Sequence, residues 1–180
     1  MTILFESPQV ELVSLEQMLT AACMDVELLQ VPLYVLSLWR PWPDAIFYGG
    51  KDYENRKWKP WPSIINKFIG LHAGKKYEQN DADWMREAKL YDPPGPDDSP
   101  QGLVGFARVI GHTALNEQDT KWLFGPYGWK LRDITRLKNP VPMSGKQGLW
   151  RLAQEVSQSL LEDLKKGDNA LIPCRKADGK

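Results

Sequence analysis

The spacing of hydrophobic positions changes several times along the chain, and each change marks an element. Ser14, followed by Leu15, Met18, Leu19, Ala22, Val26 and Leu29, repeats every three to four residues, with Ser14 and Gln17 spaced as a capping box. That pattern predicts a packing helix within residues 1–31, an extension of the main domain. After Pro32 the run LYVLSL is continuous and β-rich, as in a strand buried on both faces, and Pro41 to Tyr48 reads as a short helix stopped at Gly49-Gly50. Lys51 to Trp58 alternates like a second strand. IINKFIGLHAG and GLVGFARVIG predict two more, YGWKLRDITRL another after the Gly125-Pro126 turn signal, and GLWRL a short closing strand or helix entry.

Two further helices are expected. One covers the Asp81 to Leu90 region with Asp81 as its cap, and one carries Val156, Leu160 and Leu164 and ends at Lys165, Lys166 and Gly167. The proline, glycine and aspartate content of YDPPGPDDSPQ predicts a mobile loop, and the tail from Asp168 is expected to fray. Short strands with helices between them, and no regular β-α alternation, predict an α+β fold with a mixed or mostly antiparallel sheet, a small barrel. Three parts follow: residues 1–31 as an N-terminal helical extension, 32–152 as the main domain with a mobile acidic, proline-rich insert at 78–101, and 153–180 as a C-terminal helix and tail.

Composition narrows the function. The 180 residues carry no net charge, unlike a protein that coats nucleic acid, so any contact with nucleic acid must come from a local patch. Such a patch exists: residues 51–76 hold seven cations against two carboxylates, and residues 78–98 hold seven carboxylates against two cations. Cys23 and Cys174 are far apart and His112 has no partner at ligand spacing, so neither a structural metal nor a disulfide framework is expected, and a reducing, cytoplasmic setting fits. The opening MTILFESPQVEL lacks a basic stretch followed by a long apolar core, and no apolar run reaches the ~20 residues that span a bilayer, so no membrane association is expected. G-x-S-x-G, phosphate-loop and dinucleotide patterns are missing, which leaves classical hydrolase, kinase and dehydrogenase readings unsupported and calls for no cofactor.

The densest chemistry lies in LSLWRPWPDAIFYGGKDYENRKW. On a strand, Glu54 and Arg56 share one face and suit a carboxylate braced by a guanidinium, whereas Lys51 falls with Tyr53 and Asn55 on the other face unless a bend near Gly50 returns it to Glu54. A carboxylate and a cation beside indole walls can read a nucleobase, because bases stack on aromatic faces and offer polar edges. The plain alternative is a structural salt bridge with tryptophans filling the core. Trp39, Trp42, Trp58, Trp61, Trp122, Trp129 and Trp150 lie mostly beside strands, where large aromatics usually supply packing, and Trp84 is expected to join the acidic helix to the sheet. His72, predicted at a strand end before Lys75 and Lys76, suits a phosphate contact, a base or a structural donor.

The order LSLWRPW, GGKDYENRKW, IGLHAGKK, GLVGFARVIG, GLWRL resembles the ASCH domain of the PUA-like superfamily over about Leu33 to Leu152. The resemblance rests on Arg40-Pro41-Trp42, on Gly49 to Arg56, on His72-Ala73 with Lys75 and Lys76, and on Val104-Gly105. It implies a small PUA-like β-barrel whose openings are covered by helices, with a cleft for RNA, single-stranded nucleic acid or a modified nucleobase. Carried over by position, Lys51, Glu54 and Arg56 form the polar cluster, with Trp39, Pro41 and Trp42 beside it and His72 across from it. Lys57, Lys59, Lys75 and Lys76 would then hold phosphate.

Some bacterial relatives remove the acyl group from N4-acetylcytidine with a lysine at the position of Lys51, so the resemblance also implies an amidohydrolase, or a nuclease, with Lys51 and Glu54 as its catalytic pair. Glu54 replaces the threonine usual in those enzymes. A protein partner held by the acidic segment 78–101 is the remaining expectation.

Overall fold

The structure, a computed structural model, describes residues 33–115 and 120–174. The predicted N-terminal helix, with Ser14 and Cys23, lies outside those residues. In chain order the elements are β1 (Tyr34–Arg40), α1 (Trp42–Tyr48), β2 (Tyr53–Arg56), a 3-10 turn (Pro62–Ile64), β3 (Lys67–Tyr77), α2 (Gln79–Glu87), β4 (Gly102–Ala114), β5 (Tyr127–Val141), β6 (Leu149–Arg151), α3 (Gln154–Lys166) and β7 (Leu171–Pro173). The strands form one sheet in the order β2-β5-β4-β3-β1-β6, with β7 added to β5. Only β1 with β3 is parallel among these pairings, so the sheet is mixed, as the α+β reading expects.

The expected closure into a barrel is not seen. The pairing path is open, running from β2 to β6. These end strands are four and three residues long, too short to carry a ladder around the remaining gap. Side chains cross it instead, as described for the site below.

Alternation along the central strands explains their continuous apolar sequences. Val35, Phe68, Leu103 and Phe106 point into one core cluster, while Leu36, Leu38, Ile69, Leu71, Val104 and Val109 point into another. Both faces of β1, β3 and β4 are therefore buried, which removes the polar half of the usual period-two pattern. The first cluster is closed by Leu160, Leu161 and Leu164 of α3 and by Leu171 of β7, the second by Ile46 and Phe47 of α1.

Several local expectations are corrected. Residues 169–173, the described start of the tail expected to fray, are held in place: β7 pairs with β5, and Asn169 accepts from the Asn139 and Ala170 amides and donates to Asn139 O. Asp81 does not cap α2. Glu78 holds the cap position without a side-chain bond, and Asp81 in the first turn accepts from Trp42 Nε1 at 2.7 Å.

The Tyr91–Gln101 loop, expected to be mobile, is tied down. The buried Arg40 guanidinium donates to Pro96 O (2.6 Å) and Ser99 O (2.8 Å) as well as to Gly74 O (3.0 Å) and Lys75 O (2.8 Å). Tyr77 Oη donates to Pro94 O, Arg86 Nη2 to Pro93 O, and Ser99 Oγ to Asp44 Oδ2. A buried guanidinium without acceptors would cost several kcal/mol, so its need for carbonyls orders a loop that has little apolar content of its own. Among the described residues no helix is long and apolar enough to cross a membrane.

Two predictions follow from the packing. Leu164 is 1% exposed, so Leu164→Ala should cost about 2–5 kcal/mol in urea unfolding; a loss below about 1 kcal/mol would mean that α3 is peripheral. Burial raises the Asp44 carboxyl above 3.8, with the Ser99 hydroxyl and Arg40 opposing it in part. A raised folded value means stability present at low pH and lost as pH climbs through that value. Asp44→Asn keeps an acceptor for Ser99 and removes the loss. Its melting temperature relative to the parent protein should therefore rise from about pH 4 to about pH 7; a constant difference would refute the assignment.

Candidate functional site

The site begins where the parallel strands β1 and β3 part. Leu38 pairs with Ala73 and Arg40 with Tyr77, so Gly74 to Lys76 bulge opposite the single residue Trp39. The bulge carries Lys75 and Lys76 to the rim and leaves Trp39 56% exposed, with Lys76 Nζ 3.8 Å over its ring. Lys76 also pairs with Glu78.

The floor comes from the turn after α1. Gly50 has φ of 70°, a conformation that suits glycine, and the Lys51 amide donates back to Ala45 O at 3.0 Å. Lys51 therefore precedes β2, and strand alternation does not set the direction of its side chain. Its ammonium group, 1% exposed, donates to Tyr53 O at 2.5 Å and Glu54 Oε2 at 2.6 Å, and lies 5.4 Å from the Trp42 ring centroid. Glu54 Oε1 meets Arg56 Nη2 at 3.0 Å, and the same Nη2 approaches Ser37 O at 3.3 Å. Burial lowers the Lys51 pKa and the Glu54 carboxylate partly restores it.

A cleft of about 750 Å³ lies above this relay, within the ~300–1,000 Å³ typical of small-molecule sites. Trp39 and Trp42 line it, with Glu54 and Arg56 on its floor and His72, Lys75 and Lys76 around it. Lys51 supports Glu54 from behind and Pro41 is buried; neither lines the cleft. Lys57 is exposed and Lys59 Nζ rests 5.5 Å over Tyr127, so the fold separates these two from the Lys75 and Lys76 rim.

Sequence reasoning missed Ser37, Gln101 and the Met143–Gly148 strap between β5 and β6, all of which line the cleft. The strap adds Lys146, and Gly145 lies so close to the His72 ring and Ser37 Oγ that a methyl group there would overlap the ring. The two glycines in SGKQG were the available signal, but Gly145 serves close backbone approach and Gly148 a φ of 71°, neither of which side-chain chemistry reveals.

His72 sits inside β3, not at its end, because the strand runs on to Tyr77. Its Nε2 lies 3.1 Å from Met143 O and its Nδ1 3.4 Å from Ser37 Oγ, which also accepts from Trp150 Nε1 at 3.1 Å.

The other tryptophans divide by role. Trp129 is fully buried and edge-on to Trp58, and Trp122 is buried. Trp84 does not join its helix to the sheet: it packs on Trp42 of α1 and on Phe124, and stays 40% exposed. Asn55 fixes that region by accepting from the Phe124 and Gly125 amides and donating to Trp122 O. His112 packs against Tyr127, and among the described residues no group of three His, Cys, Asp or Glu could hold a metal. The half-buried Cys174 thiol is pushed up to about 11, which leaves it a poor nucleophile.

No protein-family model and no curated protein sequence matches the chain. Among solved structures, the chain is similar to the crystal structure of ASCH from Zymomonas mobilis, at 18% identity over 73% of this chain and 94% of that one, with a TM-score of 0.45. A tyrosine-to-phenylalanine mutant of the same protein gives 18% identity, 73% and 97% coverage and a TM-score of 0.45; a serine-to-alanine mutant gives 18%, 74% and 96%, and 0.44. These structures carry the name of the family that the motifs resemble.

Glu54→Gln tests the relay. It leaves the Lys51 and Arg56 cations adjacent with no anion between them, at an expected cost of about 3–5 kcal/mol in urea unfolding. The deficit should narrow from about pH 7 toward about pH 10 as Lys51 loses its proton. A neutral substitution would mean that the relay contributes nothing to the fold.

Proposed function

We propose that the cleft binds a nucleobase, in RNA or as a modified nucleotide, in the manner expected of an ASCH domain. The observation that carries this reading is the pairing of a half-exposed indole, Trp39, with a carboxylate held between two cations beneath it. Trp39 already has Lys76 on its ring, so a base would stack between the remaining indole surface and Trp42. Glu54 accepts from a ring or exocyclic N–H, Arg56 donates to a ring nitrogen or carbonyl, and Lys75, Lys76 and Lys146 at the rim face the phosphates.

The amidohydrolase or nuclease alternative is the weaker reading. Lys51, which would be its nucleophile or base, is sealed behind Glu54 and already donates two hydrogen bonds. Lys51 acts here through Glu54, as a positioning residue.

Titration of intrinsic tryptophan fluorescence with nucleosides, N4-acetylcytidine, short single-stranded RNA and short DNA tests the proposal. Saturable quenching by at least one of these is expected, with Trp39→Ala weakening it by ~1–3 kcal/mol, the worth of one stacked base. For an oligonucleotide held by three lysines, the logarithm of affinity should fall with the logarithm of salt at a slope of about −2. Absence of quenching across the panel would overturn the reading, and deacylated or cleaved product would promote the alternative.

A further inference from the structure

We infer that Ser37 and His72 form a nucleophile and base pair in the cleft wall, able to hydrolyse carboxylic esters through an acyl intermediate on Ser37. This goes beyond base binding and does not depend on it.

The hydrogen bonds set the proton positions. Met143 O can only accept, so His72 Nε2 carries the ring proton of the neutral imidazole and Nδ1 is left as the acceptor. Trp150 Nε1 can only donate, so Ser37 Oγ accepts from it and turns its own hydrogen toward His72 Nδ1. The hydroxyl is thus aimed at a base whose far nitrogen is held by a carbonyl, the arrangement of nucleophile, base and orienting group. At 3.4 Å the Oγ to Nδ1 separation is longer than the working distance; such bonds commonly tighten only when substrate is bound.

The surroundings supply the remaining parts. Ser37, His72 and Met143 all line the cleft, and the Ser37 Oγ to His72 Nδ1 contact is only partly buried. The Arg56 guanidinium, with Nη2 3.3 Å from Ser37 O, stands beside the nucleophile as a cation for a developing oxyanion. Gly145 covers the hydrogen bond so closely that no side chain fits there, which shields it from water on that side.

Ser37 Oγ bonds to the ester carbonyl carbon as its proton passes to Nδ1, and the carbonyl electron pair moves onto the oxygen facing Arg56. The bond to the alcohol oxygen then breaks and the alcohol leaves with the proton from Nδ1. Water attacks the acyl carbon next, giving its proton to Nδ1. The acid departs, and that proton returns to Oγ. The sum is ester plus water to acid plus alcohol. Because His72 is oriented by a neutral carbonyl and not by a carboxylate, the imidazolium is less well stabilised than in a full triad. That favours esters over amides, whose leaving groups need more help.

The test is incubation with p-nitrophenyl acetate, followed by peptide mapping for acetyl groups. Acetyl on Ser37 is expected, with a burst of p-nitrophenol that disappears in Ser37→Ala. His72→Gln keeps an N–H for Met143 O and removes the base, so labelling of Ser37 should slow by about 100-fold or more, with circular dichroism confirming the fold. If that variant does not fold, the parent protein decides: Ser37 labelling should fall on acidification while the circular dichroism spectrum is unchanged. Acetylation confined to lysines, or labelling insensitive to these changes, would overturn the inference and leave Ser37 as a hydrogen-bond bridge between Trp150 and His72.

Discussion

An ammonium group removed from water must be met by acceptors, and in this protein that requirement organises the cleft. Lys51 takes Tyr53 O and one oxygen of Glu54; Glu54 offers its other oxygen to Arg56; Arg56 reaches Ser37 O on β1. In sheet order β2 is at one end of the path and β1 is next to the other. Charged side chains thus connect strands that the backbone ladder leaves apart. The cleft is the seam of a sheet that curls without closing, and the relay is both its fastening and its floor. The proposed binding chemistry and the architecture share Glu54 and Arg56.

A second buried cation completes the rim. Arg40 meets four carbonyls from β3 and from the Pro96–Ser99 loop, and Asp44, close by, takes the Ser99 hydroxyl. The acidic, proline-rich segment is thereby held against the end of β1 next to Trp39. Its aspartates also serve the scaffold: Asp81 fixes the Trp42 indole, and Asp83 and Asp92 bracket Arg86. Much of the negative charge that stands out in residues 78–98 is committed locally.

What was legible in the sequence was what depends on short-range pattern. β1, β3 and β4 could be read because apolar runs of that length suit a sheet covered on both faces, and α3 because Leu160 and Leu164 repeat at helical spacing and Gly167, at φ of 80°, ends the helix. The Glu54 and Arg56 pairing followed from alternation. The contact of Lys51 with Glu54 did not, because it depends on the backbone at Gly50. The 91–101 loop looked mobile because its ordering partner, Arg40, is more than fifty residues away and bonds to carbonyls that every sequence has. β7, with three residues, is too short to show a period. The Met143–Gly148 strap escaped notice because it acts through a carbonyl and a missing side chain.

The rim is built from parts that the core does not use. Trp39, Lys75, Lys76 and Lys146 are exposed, and none belongs to the buried clusters that hold the sheet to its helices. Beneath them Lys51 and Arg40 are buried and hydrogen-bonded, and Glu54 and Arg56 form the floor. Substitutions at the mouth can therefore change what enters the cleft at little cost to folding, whereas substitutions one layer down disturb both. A lineage carrying this domain is free to vary these four surface positions by drift while its scaffold stays fixed.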